Sequence, residues 1–230
     1  MRIAVYFIGM VWLSLAAVGC VNKEPEERAA FITGLQTQVI ASPDLRVPAP
    51  DEAQRDAWGD YAKQYAVLME SNNAAAALRQ HLVHAFDHAT LSSVAQLQGR
   101  LEVLRTDRQA LLKAREALRE AQAQAQTQRA EWKQPADLQS VYAQAYDKAV
   151  TQPAEILGGL TATALAALDD GLRASDFVAQ HANQMTIEAD SAVVQDPSVQ
   201  HELNQLLDAL NSHADAIEQA SSRLQTLQSL

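Results

Sequence analysis

Three closely spaced histidines are the side chains of this sequence whose type and spacing come nearest to a chemical site. His81, His84 and His88 are three and four positions apart, and on an α-helix this spacing places them on one side, within an arc of about 60°. Neutral imidazoles in that arrangement can bind zinc, copper or nickel. They can equally form a polar flank, because the apolar face that includes Leu82 and Phe86 lies about 120° away. We expect no metal or other cofactor, and these three histidines are the candidate ligands should a metal bind.

Other combinations of reactive side chains fall short of a catalytic pattern. In the segment His201-Glu-Leu-Asn-Gln205, a glutamine stands where a zinc protease has its second histidine. Gly158 and Gly159 do not follow a strand, which a phosphate-binding turn requires. His213 falls on the seam of the last predicted helix, where we expect a core histidine whose ring N–H finds an acceptor. The sequence therefore predicts a protein that is not an enzyme.

Cys20 is the only cysteine among the 230 residues, and the chain up to it has the pattern of an export signal. Arg2 is followed by the apolar stretch Ile3–Val18 and then by the small residue Gly19. A basic start, a short apolar core and a small residue at the cleavage point are typical of a secretory signal. Two alternatives remain open: an uncleaved anchor at the lower length limit of a membrane span, and a signal cut nearby with Cys20 incidental.

The cysteine directly after Gly19 resembles the lipobox of bacterial lipoprotein precursors. In that family the thiol receives a diacylglycerol, the signal is removed, and the cysteine becomes the acylated N-terminus. The resemblance implies a signal peptide over residues 1–19, an acylated tether over residues 20–24, and anchoring to the lipid bilayer through Cys20. Val21 follows where an aspartate would resemble the signal for retention in the inner membrane. The resemblance thus implies the inner leaflet of the outer membrane, facing the periplasm.

The charge balance restricts the possible partners. The chain has a formal net charge of −10, which becomes −11 without the signal peptide, because Arg2 is the only charged residue in it. A phosphate backbone repels such a body, so we expect no nucleic-acid partner. Anionic lipid head groups repel it too, so that contact with the membrane should come from the acyl chains.

The hydrophobic pattern predicts an all-α fold, an elongated bundle of about six helices forming a single domain over residues 25–230. Residues 41–50 contain three prolines and cannot be helical. Asn72-Asn73 either breaks the second helix or only weakens it. In chain order, the predicted helices begin at Pro25, Asp51, Leu91, Ala136, Pro153 and Pro197, and the second continues over Ala74–Thr90 whether or not Asn72-Asn73 interrupts it.

The longest predicted element, from Leu91 to about Lys133, has leucines at alternating spacings of three and four, as in a coiled coil. Its Ala/Gln-rich tail, from Ala121 to Arg129, has little apolar bulk and is expected to protrude. The helix that begins at Pro153 is nearly apolar all round and should be buried. Met185–Val194 is the only stretch that reads as strand, and it could form a small β-hairpin that turns at Asp190-Ser191.

Three segments resemble one family of uncharacterised proteobacterial lipoproteins, whose domain has no assigned function. They are Glu26–Gln36, Asp60–Leu68 and Asp137–Leu157, and the resemblance extends in the same order from the lipobox to the end of the chain. It implies an exported, acylated, helical protein. It assigns no catalytic or ligand-binding residue.

Two functions remain open at this point. The first is a membrane-anchored, non-enzymatic periplasmic lipoprotein that acts as an adaptor or structural protein of the cell envelope, with an unidentified envelope protein as partner. The alternative is a binding module for a small ligand or a metal ion. A pocket with converging polar groups would favour the alternative, whereas a contiguous exposed apolar stripe would favour the first. The candidate positions for a ligand are the three histidines and the aromatic residues Trp58, Tyr61, Tyr65, Tyr142 and Tyr146.

Overall fold

The computed structural model describes residues 22–43, 45–89, 94–188 and 191–229, and helices form most of this part of the chain. The predicted signal peptide and Cys20 lie outside these ranges, and so does Asp190 of the predicted hairpin turn. The predicted all-α bundle with one small hairpin is confirmed. The helices are α1 Glu24–Gly34, α2 Glu52–Trp58, α3 Ala62–Ala89, α4 Val94–Leu97, α5 Leu101–Glu131, α6 Ala136–Tyr146, α7 Gln152–Gln180, α8 Pro197–Asn211 and α9 Ala214–Ser229.

Shorter elements connect or continue these helices. Leu35–Ile40 continues α1 as a π-helix, and Asp147–Thr151 joins α6 to α7 in the same way. Single 3₁₀ turns occupy Gly59–Tyr61 and Ala182–Gln184. The strands β1 (Met185–Glu188) and β2 (Ser191–Val194) pair antiparallel, with Met185 opposite Val194 and Ile187 opposite Ala192.

The second predicted helix is broken at Gly59 and not at Asn72-Asn73, where α3 continues without interruption. Gly59 has a φ of 52°, a conformation that glycine adopts without steric cost. The Glu27 carboxylate also packs against it, and a Cβ at this position would lie 2.3 Å from Glu27 Oε2. Asn72 stays helical because its side chain forms hydrogen bonds with a loop, so it does not compete for the helix backbone.

The long predicted element Leu91–Lys133 is also interrupted. Gly99, with a φ of 79°, separates the single turn α4 from α5, which begins at Leu101. Within α5 the predicted leucine seam is confirmed, since Leu104, Leu111 and Leu118 are buried. Arg108 stands in the same seam and reaches out to Asp169 of α7, its Nε donating to Oδ1 over 2.5 Å.

Pro153 does not start a separate helix. The chain is helical without interruption from Ala136 to Gln180, and the π-helical segment lies immediately before the proline. A proline has no N–H to donate to the preceding turn, and its ring clashes with a carbonyl oxygen of that turn. A wider π turn accommodates both effects. A π turn contains one residue more than an α-helical turn, and here two consecutive residues, Ala149 and Val150, are both buried.

The final predicted helix is divided as well. A turn at Ser212 and His213 separates α8 from α9. Ser212 Oγ donates to the Ala209 carbonyl over 2.6 Å, and the His213 ring is bonded to α7. The predicted seam nevertheless survives on both sides of the turn, because Leu203, Leu210, Ile217, Ala220 and Leu224 are all buried.

The buried side chains form two clusters. We call the first the aromatic core; its buried members are Phe31, Leu35, Val39, Trp58, Tyr65, Leu68, Leu138, Tyr142, Ala145, Ala149 and Val150. We call the second the leucine core; it is built by the second half of α3 with α4, α5, α7, α8 and α9, and includes Leu82, Leu104, Leu111, Leu160 and Leu168. Helix α3 contributes to both, from Tyr65 and Leu68 at one end to Phe86 at the other.

Candidate functional site

The three candidate histidines follow the flank of α3 as their spacing predicts. His81 is half-buried, His84 is exposed, and His88 is half-buried. His88 Nδ1 lies 2.6 Å from Asp107 Oδ2 of α5, so this imidazole has an acidic partner that sequence reasoning did not identify. Across the described ranges, no three His, Cys, Asp or Glu side chains come close enough together to hold a metal ion.

His213 links the turn between α8 and α9 to α7. Its Nε2 lies 2.7 Å from Asp170 Oδ2, and Arg173 is bonded to the other oxygen of the same carboxylate. The expectation that this ring finds an acceptor is confirmed, although His213 lies in a turn and not on a helical seam. Asp170 therefore binds both His213 and Arg173, whereas the adjacent Asp169 binds Arg108.

Three of the five candidate aromatic residues are buried in the aromatic core, and the other two, Tyr61 and Tyr146, pack against it. Trp58 is 2% exposed, while Tyr65 and Tyr142 are fully buried. The rings of Trp58 and Tyr65 lie 4.8 Å apart, and Tyr61 stacks on Phe31 at 5.5 Å. These distances are those of aromatic rings in a packed interior. Tyr146 is half-buried and lines a groove beside the tail of α5.

The tyrosine hydroxyls of this core are satisfied by hydrogen bonds. Tyr65 Oη donates to the Pro48 carbonyl at 2.9 Å, and Tyr142 Oη donates to the Gln64 carbonyl at 3.0 Å. Burial raises the pKa of Tyr65 to about 12 and raises that of Tyr142 further. Burial and a hydrogen bond to Glu24 also raise the pKa of Tyr61 to about 12. These phenols are therefore neutral structural donors at any physiological pH.

The proline-containing segment after α1 is held by side chains from two helices. Asn72 Nδ2 donates to the Leu45 carbonyl at 2.6 Å, and its Oδ1 accepts from the Val47 N–H at 3.1 Å. Lys148 Nζ donates to the Ile40 carbonyl at 2.9 Å and to the Ser42 carbonyl. These bonds explain how a stretch without secondary structure is fixed against the bundle.

A groove of about 480 Å³ runs between the tail of α5 and the π-helical segment. Two arginines, Arg119 and Arg129, belong to its lining, and the Arg129 guanidinium lies 4.6 Å from the centre of the Tyr146 ring. The expectation that the tail of α5 protrudes is only partly correct. Gln124 and Gln126 are exposed, but Ala125 is 1% exposed, and Gln122 and Arg129 are half-buried.

Sequence reasoning missed this groove because the tail has almost no apolar bulk. The usable signal was polar: Arg119, Gln122, Gln126 and Arg129 recur at spacings of three, four and three, which places them on one side of α5. The opposite wall could not be located from the sequence, since it depends on the π turn at Asp147–Thr151.

Exposed apolar surface is scarce in the part of the chain that the structure describes. Its exposed large hydrophobic side chains are Val103, at 38%, and Val193, at 55%. They lie on different elements, α5 and β2, so they do not belong to a continuous apolar stripe. None of the described helices is both long enough and apolar enough to cross a bilayer.

These features define a class of protein, an all-α bundle with an aromatic core, a leucine core and a small β-hairpin. The chain belongs to the family described as "Protein of unknown function (DUF3053)", whose model matches residues 5–225. It is 30% identical over 216 residues to the uncharacterized protein YiaF of Escherichia coli K12. The aligned region covers 88% of this chain and 86% of the relative. The same figures hold for YiaF of Escherichia coli O157:H7 and of Shigella flexneri. No solved structure matches the chain.

The expected membership of an uncharacterised proteobacterial family is thereby confirmed. The lipoprotein character of the chain remains a prediction.

Proposed function

We propose that this chain is a lipid-anchored, non-enzymatic protein of the cell envelope. Acylated Cys20 holds it in the inner leaflet of the outer membrane with the bundle facing the periplasm. There it acts as an adaptor or structural component through contacts with other envelope proteins. The observation that carries the proposal is the short separation, along the chain, between Cys20 and a first helix that is packed into the aromatic core.

The tether is too short to let the bundle move far from the bilayer. Helix α1 begins at Glu24, four residues after Cys20, and four extended residues span at most about 14 Å. A tether of this length suits a body that works next to the membrane surface. The acidic charge of the chain keeps that body from lying flat on anionic lipids.

Helix α1 is also well fixed at its membrane-proximal end. Tyr61 Oη donates to Glu24 Oε1 at 2.6 Å, and Arg28 lies 3.3 Å from Asp137 of α6. One turn further on, Phe31 is fully buried and contacts the rings of Trp58 and Tyr61. Force applied through the tether therefore passes into the aromatic core, as an anchored structural protein requires.

The anchor can be tested with Cys20→Ser. This variant should lose incorporation of labelled fatty acid and leave the membrane fraction, because the acylated thiol is gone. The matched control Val21→Ser changes the neighbouring residue, retains the thiol, and should keep both properties. Acyl labelling and membrane retention that persist in Cys20→Ser would refute the anchor.

The destination and the adaptor role need separate measurements. An aspartate directly after the acylated cysteine resembles the signal for retention in the inner membrane. Val21→Asp should therefore move the protein from the outer-membrane to the inner-membrane fractions of a density gradient. A photo-crosslinking residue at exposed Gln124 should yield discrete protein adducts in cells. The same residue at buried Leu138 should not. A screen of exposed positions on α5 and α8 that yields no adduct above the Leu138 control would contradict the adaptor role.

A further inference from the structure

The groove beside the π-helical segment is open along its length and has two different walls. One wall is the polar stripe of α5, with Arg119 and Gln122 at one end and Gln126 and Arg129 at the other. The other wall consists of Tyr146 and of Val150 and Thr151 on the π turn. A volume of about 480 Å³ lies within the range of roughly 300–1,000 Å³ that ligand sites occupy.

The charge of this groove is opposite to that of the protein. The chain as a whole has a net charge of −10, yet the residues that line the groove include two guanidinium groups and no carboxylate. Arg119 does contact Glu116 at 3.4 Å, but both side chains are more than half exposed. Such a surface ion pair contributes little and can be exchanged for a ligand carboxylate.

Arg129 is held in position for an anion. Its guanidinium carbon lies over the Tyr146 ring, 4.6 Å from the ring centre, and within the described residues it forms no ion pair with a carboxylate. A cation–π contact leaves the N–H donors that point away from the ring available, and a guanidinium can bind a carboxylate in a bidentate manner. Because the Tyr146 ring already restricts the Arg129 side chain, Arg129 loses less conformational entropy when a ligand binds.

The spacing of the two arginines defines the shape of the ligand. Ten residues on α5 separate them, which corresponds to about 15 Å along the helix axis. In an extended peptide, residues i and i+4 project to the same side about 13–14 Å apart. Between the arginines, the amides of Gln122 and Gln126 each offer a donor and an acceptor, which is what a peptide backbone requires.

From this geometry we infer that the groove binds an extended acidic peptide segment with two carboxylates four residues apart. One carboxylate pairs with Arg119 and the other with Arg129, while the intervening backbone lies along the two glutamines. Ala123 and Val150 leave room for small side chains in the middle. This inference goes beyond the anchored role proposed above and does not depend on acylation of Cys20.

The test uses the full chain in an uncharged detergent and three capped pentapeptides as probes. At low salt, Glu-Ala-Gly-Ala-Glu should bind at least about tenfold more tightly than its neutral counterpart Gln-Ala-Gly-Ala-Gln, because each guanidinium adds a charge-assisted bond. It should also bind more tightly than Ala-Glu-Gly-Glu-Ala, whose acids are too close together to reach both arginines. The difference between the acidic and the neutral peptide should shrink at high salt.

Substitutions then locate the binding. Arg119→Gln and Arg129→Gln should each lower the affinity for Glu-Ala-Gly-Ala-Glu about tenfold, with the helical circular dichroism unchanged. The matched control is Arg105→Gln, which removes an arginine of the same helix that pairs with Glu102 outside the groove. Because Arg119 is mostly exposed, its replacement keeps the test valid even if Arg129→Gln disturbs the packing on Tyr146.

Several results would overturn the inference: equal binding of the acidic and neutral peptides, no binding of either, or an equal loss of affinity in Arg105→Gln. Phosphatidylglycerol vesicles provide the competing test. If they bind through Arg119 and Arg129 while the acidic peptide does not, the groove is a lipid site and the peptide assignment is wrong.

Discussion

Gly34 of α1 faces the indole ring of Trp58 so closely that a single added methyl group should destabilise the protein. A Cβ at this position would lie 2.5 Å from Trp58 Cζ2 and 2.9 Å from Cε2. The ring cannot move aside easily, because Phe31 and Tyr65 contact it at centroid distances of 5.6 Å and 4.8 Å. In Gly34→Ala, the gain in helix propensity is therefore opposed by the steric clash of the new methyl group with Trp58.

The magnitude follows from these two opposing effects. Replacing glycine by alanine inside a helix stabilises it by about 1 kcal/mol. Forcing an extra methyl group into a filled core costs about 1–3 kcal/mol. We expect Gly34→Ala to lower the free energy of unfolding by up to roughly 2 kcal/mol, although alanine is the better helix former.

A matched control lies in α7. Gly159 is exposed and helical, and a Cβ there would have no atom within 4 Å. Gly159→Ala should therefore raise the free energy of unfolding by roughly 0.5–1 kcal/mol. Urea denaturation followed by circular dichroism compares the two variants directly, and the melting temperature should change by about 2–4 °C for each kcal/mol.

A double-mutant cycle isolates the contact. In a Trp58→Phe background the smaller ring leaves space, so Gly34→Ala should lose most of its destabilising effect. A steric clash with Trp58 is refuted if Gly34→Ala stabilises the protein as much as Gly159→Ala does, or if the effect of Gly34→Ala is the same with Phe at position 58.

Two further predictions concern the buried polar groups. Asn72→Ala should cost about 1–3 kcal/mol of unfolding free energy, because it leaves the Leu45 carbonyl and the Val47 N–H without their partner. Asn73→Ala, at an exposed neighbouring position, should change the same quantity by less than about 0.5 kcal/mol. The raised pKa of Tyr65, about 12, means that the unfolded chain releases this proton near pH 10 and the folded chain does not. The contribution of Tyr65 to stability should thus be constant below pH 10 and fall between pH 10 and 12, by up to about 1.4 kcal/mol per pH unit. Tyr65→Phe should make the fall shallower, and an identical pH profile would contradict the assignment.

The sequence predicted those features that a single helix determines by itself. The leucines of α5 at positions 104, 111 and 118 are buried as their spacing indicates, and the aromatic side chains at positions 58, 65 and 142 are core. These predictions succeeded because apolar periodicity reports which side of a helix is buried, whatever covers it.

Helix boundaries were less predictable because they depend on contacts between distant residues. Asn72 looks like a helix breaker, yet a loop more than twenty residues away in sequence uses its side chain. Gly59 looks no different from other glycines until Glu27 packs against it. Proline at position 153 normally starts a helix, but a π turn before it lets the helix continue. The groove had the same limitation, since Val150 and Thr151 of its second wall belong to that turn.

The path of α3 through both cores has a consequence for how the molecule unfolds. Tyr65 and Leu68 belong to the aromatic core, while Leu78, Leu82 and Phe86 belong to the leucine core, and no break in the helix separates them. Melting one core alone would require fraying an intact helix in the middle of its hydrogen-bonded length, where propagation favours the helix. The two cores should therefore unfold as one cooperative unit, and a destabilising substitution in either core should also lower the stability of the other.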